Sequence, residues 1–188
     1  MTLAVLGIDP GRRWTAGVLR VGTDAVYGWT LGPVDQGGRL DPAAVDDVDD
    51  VAAWGRYMRR LLDAIEATVD RYQGQGPGHL ACEVVVPPGR RSAIALADWL
   101  VPRQIVAALV AYDPHVVLVR PDAYGRARPV SEHYPPELWP ARGGRGGRPP
   151  HWGPCEARRG ERDHERAAYD IAGAAARVLQ ATGVPGAV

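Results

Sequence analysis

Aliphatic residues run from Leu3 to Ile8 and stop at Asp9, just before a Pro10-Gly11 turn. A short apolar run closed by turn residues predicts a strand buried on both faces. Thr15 to Val21 and Ala25 to Leu31 read as two more strands, and Gly22-Thr23-Asp24 between them has hairpin-turn composition. Three strands joined by tight turns predict an antiparallel meander. Gly32 to Pro42 is rich in Gly, Pro and Asp and predicts a loop.

The period then changes. Val51, Trp54, Met58, Leu61, Leu62, Ile65, Val69 and Tyr72 recur at three- and four-residue steps, predicting a helix that packs one face on the sheet. Asp46, Asp47, Asp49 and Asp50 precede it, and a solvated helix start, where acids favour the positive end of the dipole, accounts for them better than a metal site. His79 to Val86 is a second buried-strand pattern, and Pro87 to Arg91 follows as a loop. Ser92 is the expected N-cap of a helix reaching about Tyr112, with a kink or interruption at Pro102. The broad apolar face of this helix suits burial against the sheet and a second subunit. His115 to Arg120 reads as a short strand, and Arg162 to Leu179 as a helix whose small residues let it lie close to the sheet.

Between these, residues 123–162 show no sustained period. Gly, Pro, Arg and aromatics dominate, and from Trp139 to Arg162 six arginines face two glutamates, a local charge of about +4. Arginines interleaved with Trp and Tyr suit phosphates and unstacked bases; a flexible solvated loop is the other reading. His151 and Cys155 are too few ligands for a zinc site.

Composition narrows the class. The 188 residues are 46% hydrophobic and 23% charged, which fits one domain spanning 1–188 with an inserted loop at about 123–162. Net charge is zero, and every basic residue other than histidine is arginine. Two cysteines, Cys82 and Cys155, are too few for a disulfide scaffold and fit a reducing cytosol. No leader pattern and no bilayer-length apolar run are evident, so the expectation is a cytoplasmic protein without membrane attachment.

Three carboxylates stand inside apolar sequence: Asp9, Glu83 and Asp170. A buried carboxylate is costly unless compensated, so each calls for a positive partner, either an arginine or a metal ion. Cys82, beside Glu83, is expected to point to the opposite face as core packing.

Gly7-Ile8-Asp9-Pro10-Gly11, the strand-embedded Glu83 and the late helix with Tyr169-Asp170-Ile171-Ala172 together resemble the RuvC family of Holliday-junction resolvases, within the ribonuclease-H-like superfamily. The order of elements is similar along nearly the whole chain outside 123–162, and the compact length is more like the actinobacterial phage branch. The resemblance implies an α/β fold: a mixed five-stranded sheet, an antiparallel three-strand meander plus two parallel strands, flanked by helices. It implies that the first and fourth strands are adjacent and parallel, and that Asp9, Glu83 and Asp170 cage two Mg²⁺ ions, with Mn²⁺ as a substitute. Paired ions about 4 Å apart stabilise the attacking and leaving oxygens of a phosphodiester and lower the pKa of the attacking water.

The chain departs from the family at the helix ligand one turn earlier, where Ala167 and Arg166 stand. Asp163 shares Asp170's stripe but lies roughly 10 Å along the axis, and serves equally well as an N-cap. His164 points elsewhere if the helix is regular; a non-helical first turn would swing Asp163 or His164 inward. The implied activity is a metal-dependent endonuclease acting on branched DNA such as a four-way junction, as a homodimer because two symmetric nicks need two sites. Arg12, Arg13, Arg90, Arg91, Arg142, Arg145 and Arg148 are the expected DNA contacts. For Arg90 and Arg91, phosphate contact and plain solvation are equally open. A catalytically inactive branched-nucleic-acid binder of the same fold is the competing reading. A sugar-kinase-like ATP site, whose first loop also reads Gly-Ile-Asp-x-Gly, lacks the second Asp-Gly loop that it needs.

Overall fold

A mixed five-stranded sheet carries helices on both faces, in a computed structural model that describes residues 3–72, 78–87, 94–120, 129–140, 147–157 and 162–183. β1 (Ala4–Asp9), β2 (Thr15–Val21) and β3 (Asp24–Leu31) form the meander, and β4 (Gly78–Glu83) and β5 (Val117–Val119) extend it, in the order β3-β2-β1-β4-β5. β1 pairs antiparallel with β2 and parallel with β4, in a register that sets Ile8 beside Cys82.

Alternation along β1 decides which side chains face which helices. Ala4, Leu6 and Ile8 join Leu80 and Cys82 in a core under α1 (Val51–Arg71) and α2 (Leu96–Tyr112). Val5 faces the other way, into a core made with Ala81, Ile171, Ala172 and Ala175 of α4 (Asp163–Ala181). Gly7 lies between Val5 and Asp9 on that second face. A Cβ there would overlap the Ala168 carbonyl and come within 2.7 Å of the Ala172 nitrogen, so only glycine lets α4 rest directly on β1. That contact brings the start of α4 to the C-terminal ends of β1 and β4.

Several local expectations shift. α1 begins at Val51 with Asp50 as N-cap, its carboxylate accepting from the Ala53 N–H at 2.9 Å. α2 begins only at Leu96, because Ile94 and Ala95 are already extended or irregular, and Ser92 lies outside the described residues. Pro102 does not interrupt α2, which runs continuously to Tyr112.

The stretch expected to lack structure is partly built. It holds a short helix α3 (Val130–His133) and a 3-10 turn (Pro136–Leu138). Further on, the Thr30 N–H donates to the Pro154 carbonyl at 2.8 Å and the Glu156 N–H to the Thr30 carbonyl at 3.0 Å, so this segment lines the open edge of β3. Pairing of this kind satisfies an otherwise exposed strand edge. Glu156 also accepts from the Gly32 N–H and pairs with Arg60 of α1, locking the segment at its far end.

Candidate active site

Asp9 ends β1 and Glu83 ends β4, one residue beyond the Ile8–Cys82 pair. Both therefore stand on the α4 face, side by side on adjacent parallel strands. Cys82, between them in sequence and fully buried on the opposite face, has its thiol pushed well above the usual range by burial first and by the Asp9 and Glu83 charges next. Such a thiol stays protonated and acts as core.

The turn after Asp9 is held from below. Tyr57 of α1 donates its hydroxyl to Thr15 Oγ1 at 2.8 Å, and Thr15 Oγ1 lies 3.2 Å from both the nitrogen and the carbonyl of Gly11. Burial drives the Tyr57 hydroxyl upward in pKa. The network is neutral, completely enclosed at Thr15, and sets where the end of β1 points.

From α4 the residue that reaches Asp9 is His164, with Nδ1 2.9 Å from Asp9 Oδ2. An ionised carboxylate only accepts, so Nδ1 carries the proton. His164 stays partly open to solvent, at 38% side-chain exposure against 16% for Asp9. The helix is regular from Asp163, and its regularity is what aims His164 at β1, in the same stripe as Ala168, Ile171 and Ala175. The expectation that a regular helix turns His164 away is corrected.

The same phase removes Asp170. Six residues at 100° each put Asp170 about 120° around the axis from His164 and about 9 Å along it. There its Oδ1 meets His133 Nε2 at 2.8 Å and its Oδ2 accepts from the Tyr134 hydroxyl at 2.6 Å. Asp163 is 79% exposed and pairs with Arg166. Among the described residues no group of three or more His, Cys, Asp or Glu side chains is gathered closely enough to hold an ion. Of the three expected ligands, the strand ends bring Asp9 and Glu83 side by side, while the oxygens of Asp170 are taken up by His133 and Tyr134. The contact that is made joins the Asp9 carboxylate to the His164 imidazole, on the strand neighbouring the one that ends at Glu83; carboxylate oxygens are the donor type that a hard divalent cation takes.

The arginines divide as well. Arg12 forms ion pairs with Asp46 (3.1 Å) and Asp98 (3.0 Å), which tie the β1–β2 turn to the segment before α1 and to α2. Arg148 pairs with the fully buried Glu165 and donates to the carbonyls of Gly28 (2.9 Å), Gly153 and Pro154 (3.0 Å). Both expected DNA contacts are thus engaged within the protein in this arrangement. Arg13 is exposed. Arg90, Arg91, Arg142 and Arg145 lie outside the described residues.

His133 and Tyr134 are the polar residues that sequence reasoning missed. Their stretch has no period, and the one available signal was that Asp170, buried to 5%, required partners from some element.

Two solved structures resemble the chain over 98% of its length and 98% of theirs. One is T. thermophilus RuvC in complex with a Holliday junction substrate, 17% identical with a TM-score of 0.51. The fold is RuvC-like. The other is a Thermus thermophilus RuvC structure, also 17% identical, at a TM-score of 0.48. No family model and no curated protein matches the chain. The RuvC-like sheet accounts for the antiparallel meander, the two added parallel strands and the flanking helices together. No helix among the described residues is long and apolar enough to cross a membrane.

Proposed function

We propose that the protein is a metal-dependent nuclease of RuvC type acting on branched DNA, with Asp9, Glu83 and His164 at its centre. The observation that carries this reading is the 2.9 Å contact between Asp9 and His164 beside Glu83, at the C-terminal ends of the two central parallel strands. Asp9 and Glu83 bind the cation, and His164 orients Asp9 through Nδ1. The Tyr57–Thr15–Gly11 network keeps the Asp9 turn from yielding when charge accumulates. Mg²⁺ or Mn²⁺ bound there supplies Lewis-acid polarisation of a phosphodiester and a more acidic water. The solved RuvC complex contains a Holliday junction, and its likeness in fold makes a four-way junction the first substrate to test. Paired cuts in such a junction need two centres, so the active species is a homodimer.

The side-by-side experiment offers a four-way junction, a flap and a linear duplex, with Mg²⁺, Mn²⁺ or chelator. The expected result is junction cleavage that needs metal and is lost in Asp9→Asn while binding persists. Equal cleavage of all three substrates overturns the resolvase assignment and leaves a general nuclease.

A second reading is a branched-DNA binder without cleavage. It is favoured by Asp170, whose two oxygens are both engaged away from Asp9. Junction binding with no cleavage in either metal selects it.

A further inference from the structure

Asp170 is the most enclosed of the three carboxylates singled out above, and among the described residues the hydrogen bonds to its oxygens come from the 129–140 segment. His133 holds Oδ1 and Tyr134 holds Oδ2. The Tyr134 carbonyl accepts from the indole of Trp139 at 2.6 Å, which closes the segment on itself. The Tyr134 ring packs edge-on against His133, with centroids 4.6 Å apart, and against Tyr169 of α4 at 6.0 Å. The Arg166 guanidinium of α4 lies 5.9 Å from the Tyr134 ring centroid and donates to the Leu138 carbonyl at 3.1 Å. Arg20 of β2 lies over the Tyr169 ring at 4.1 Å, and its charge acts on Asp170 from the sheet side. Burial and the Asp170 carboxylate both push the Tyr134 hydroxyl upward in pKa, so it remains a donor.

One face of α4 thus carries His164 to Asp9, while another holds the 129–140 segment. A rigid helix transmits position between them. We infer that Asp170 is a positioning residue: it clamps the 129–140 segment onto α4 and so fixes how that arm is presented to branched DNA. The DNA half of this inference rests on the nuclease reading; the clamp itself does not.

A clamp and a metal ligand respond differently to the same substitution. Asp170→Asn keeps an oxygen for the Tyr134 hydroxyl and offers an N–H to His133 Nε2, but it is a poor donor to a cation. Asp170→Ala removes both hydrogen bonds. The experiment compares the full-length wild type, Asp170→Asn, Asp170→Ala and Asp9→Asn. It reads amide hydrogen exchange over 129–140, Mn²⁺ affinity, and KM and kcat on a four-way junction.

The clamp predicts that Asp170→Ala raises exchange over 129–140 by about 10-fold and raises KM with kcat held, the scale of two lost hydrogen bonds. It predicts that Asp170→Asn restores both, and that Mn²⁺ affinity falls only in Asp9→Asn. Loss of Mn²⁺ affinity in Asp170→Asn, or unchanged exchange in Asp170→Ala, overturns it. His133→Ala with Tyr134→Phe removes the same bonds from the arm side and serves if Asp170→Ala does not fold; unchanged exchange there also overturns the clamp. A wild type that neither binds nor cuts junctions counts against the nuclease reading, and exchange with Mn²⁺ affinity still decides the clamp.

Discussion

His164 Nδ1 stands 2.9 Å from Asp9 Oδ2, joining the first turn of α4 to the last residue of β1. This contact, and not one from Asp170, defines the helix side of the candidate site. His164→Ala is expected to leave the fold intact, because the side chain is 38% exposed. A group that orients a metal-binding carboxylate contributes about 10–100-fold to affinity or activity. Cleavage assays across a Mn²⁺ titration should show a loss of that size, partly recovered at high Mn²⁺.

Close approach of α4 depends on Gly7. Gly7→Ala places a methyl group against the Ala168 carbonyl and 3.0 Å from the Ala172 Cβ. Backbone cannot give way as a flexible side chain does, so the cost belongs near the upper end of overpacking, ~3 kcal/mol. Thermal unfolding should shift down by about 6–12 °C for a chain of this size.

Glu165, fully buried, is shared by Arg148 and Arg162, themselves 20% and 4% exposed. Glu165→Ala leaves two enclosed guanidinium groups uncompensated and should cost about 3–5 kcal/mol, measured by denaturant unfolding. Arg148→Ala should destabilise as well. It should not lower the slope of log affinity for DNA against log salt by the ~1 expected of a phosphate contact.

Alkaline pH tests the network under Asp9. Tyr57 has its pKa raised in the folded protein by burial, above the unfolded value of about 10. Between those values the native state holds the proton and the unfolded state releases it. The stability this contributes is complete below pH ~10 and is lost as pH climbs toward the folded value. Tyr57→Phe should lower stability at neutral pH by about 1 kcal/mol, through the lost bond to Thr15, and make the decline above pH 10 shallower. Denaturant melts from pH 7 to 11 check both.

How much of this was legible in the chain differs element by element. The apolar runs ending at Asp9 and Glu83, with the turn residues between strands, carried the sheet, because strand burial writes itself into local pattern. The helix itself was legible too, but not which face meets the sheet: the small residues Ala168, Ala172 and Ala175 that lie against it share a stripe with His164, while Asp170 meets His133 and Tyr134. The described parts of 129–157 were not legible. They rest on backbone pairing with Thr30, on Glu165 meeting Arg148, and on Asp170 meeting His133 and Tyr134. These partners are remote in sequence and leave no period behind. The ion pairs of Arg12 and Arg148 were not legible for a related reason, since an arginine that answers a carboxylate looks the same in sequence as one that awaits a phosphate.

The most direct measurement is Mn²⁺ binding, followed by electron paramagnetic resonance, in the wild type, Asp9→Asn and Glu83→Gln. A centre built on adjacent strand ends predicts one bound ion in the wild type and a marked loss of affinity in each variant. Equal binding in all three, or none in the wild type, contradicts it.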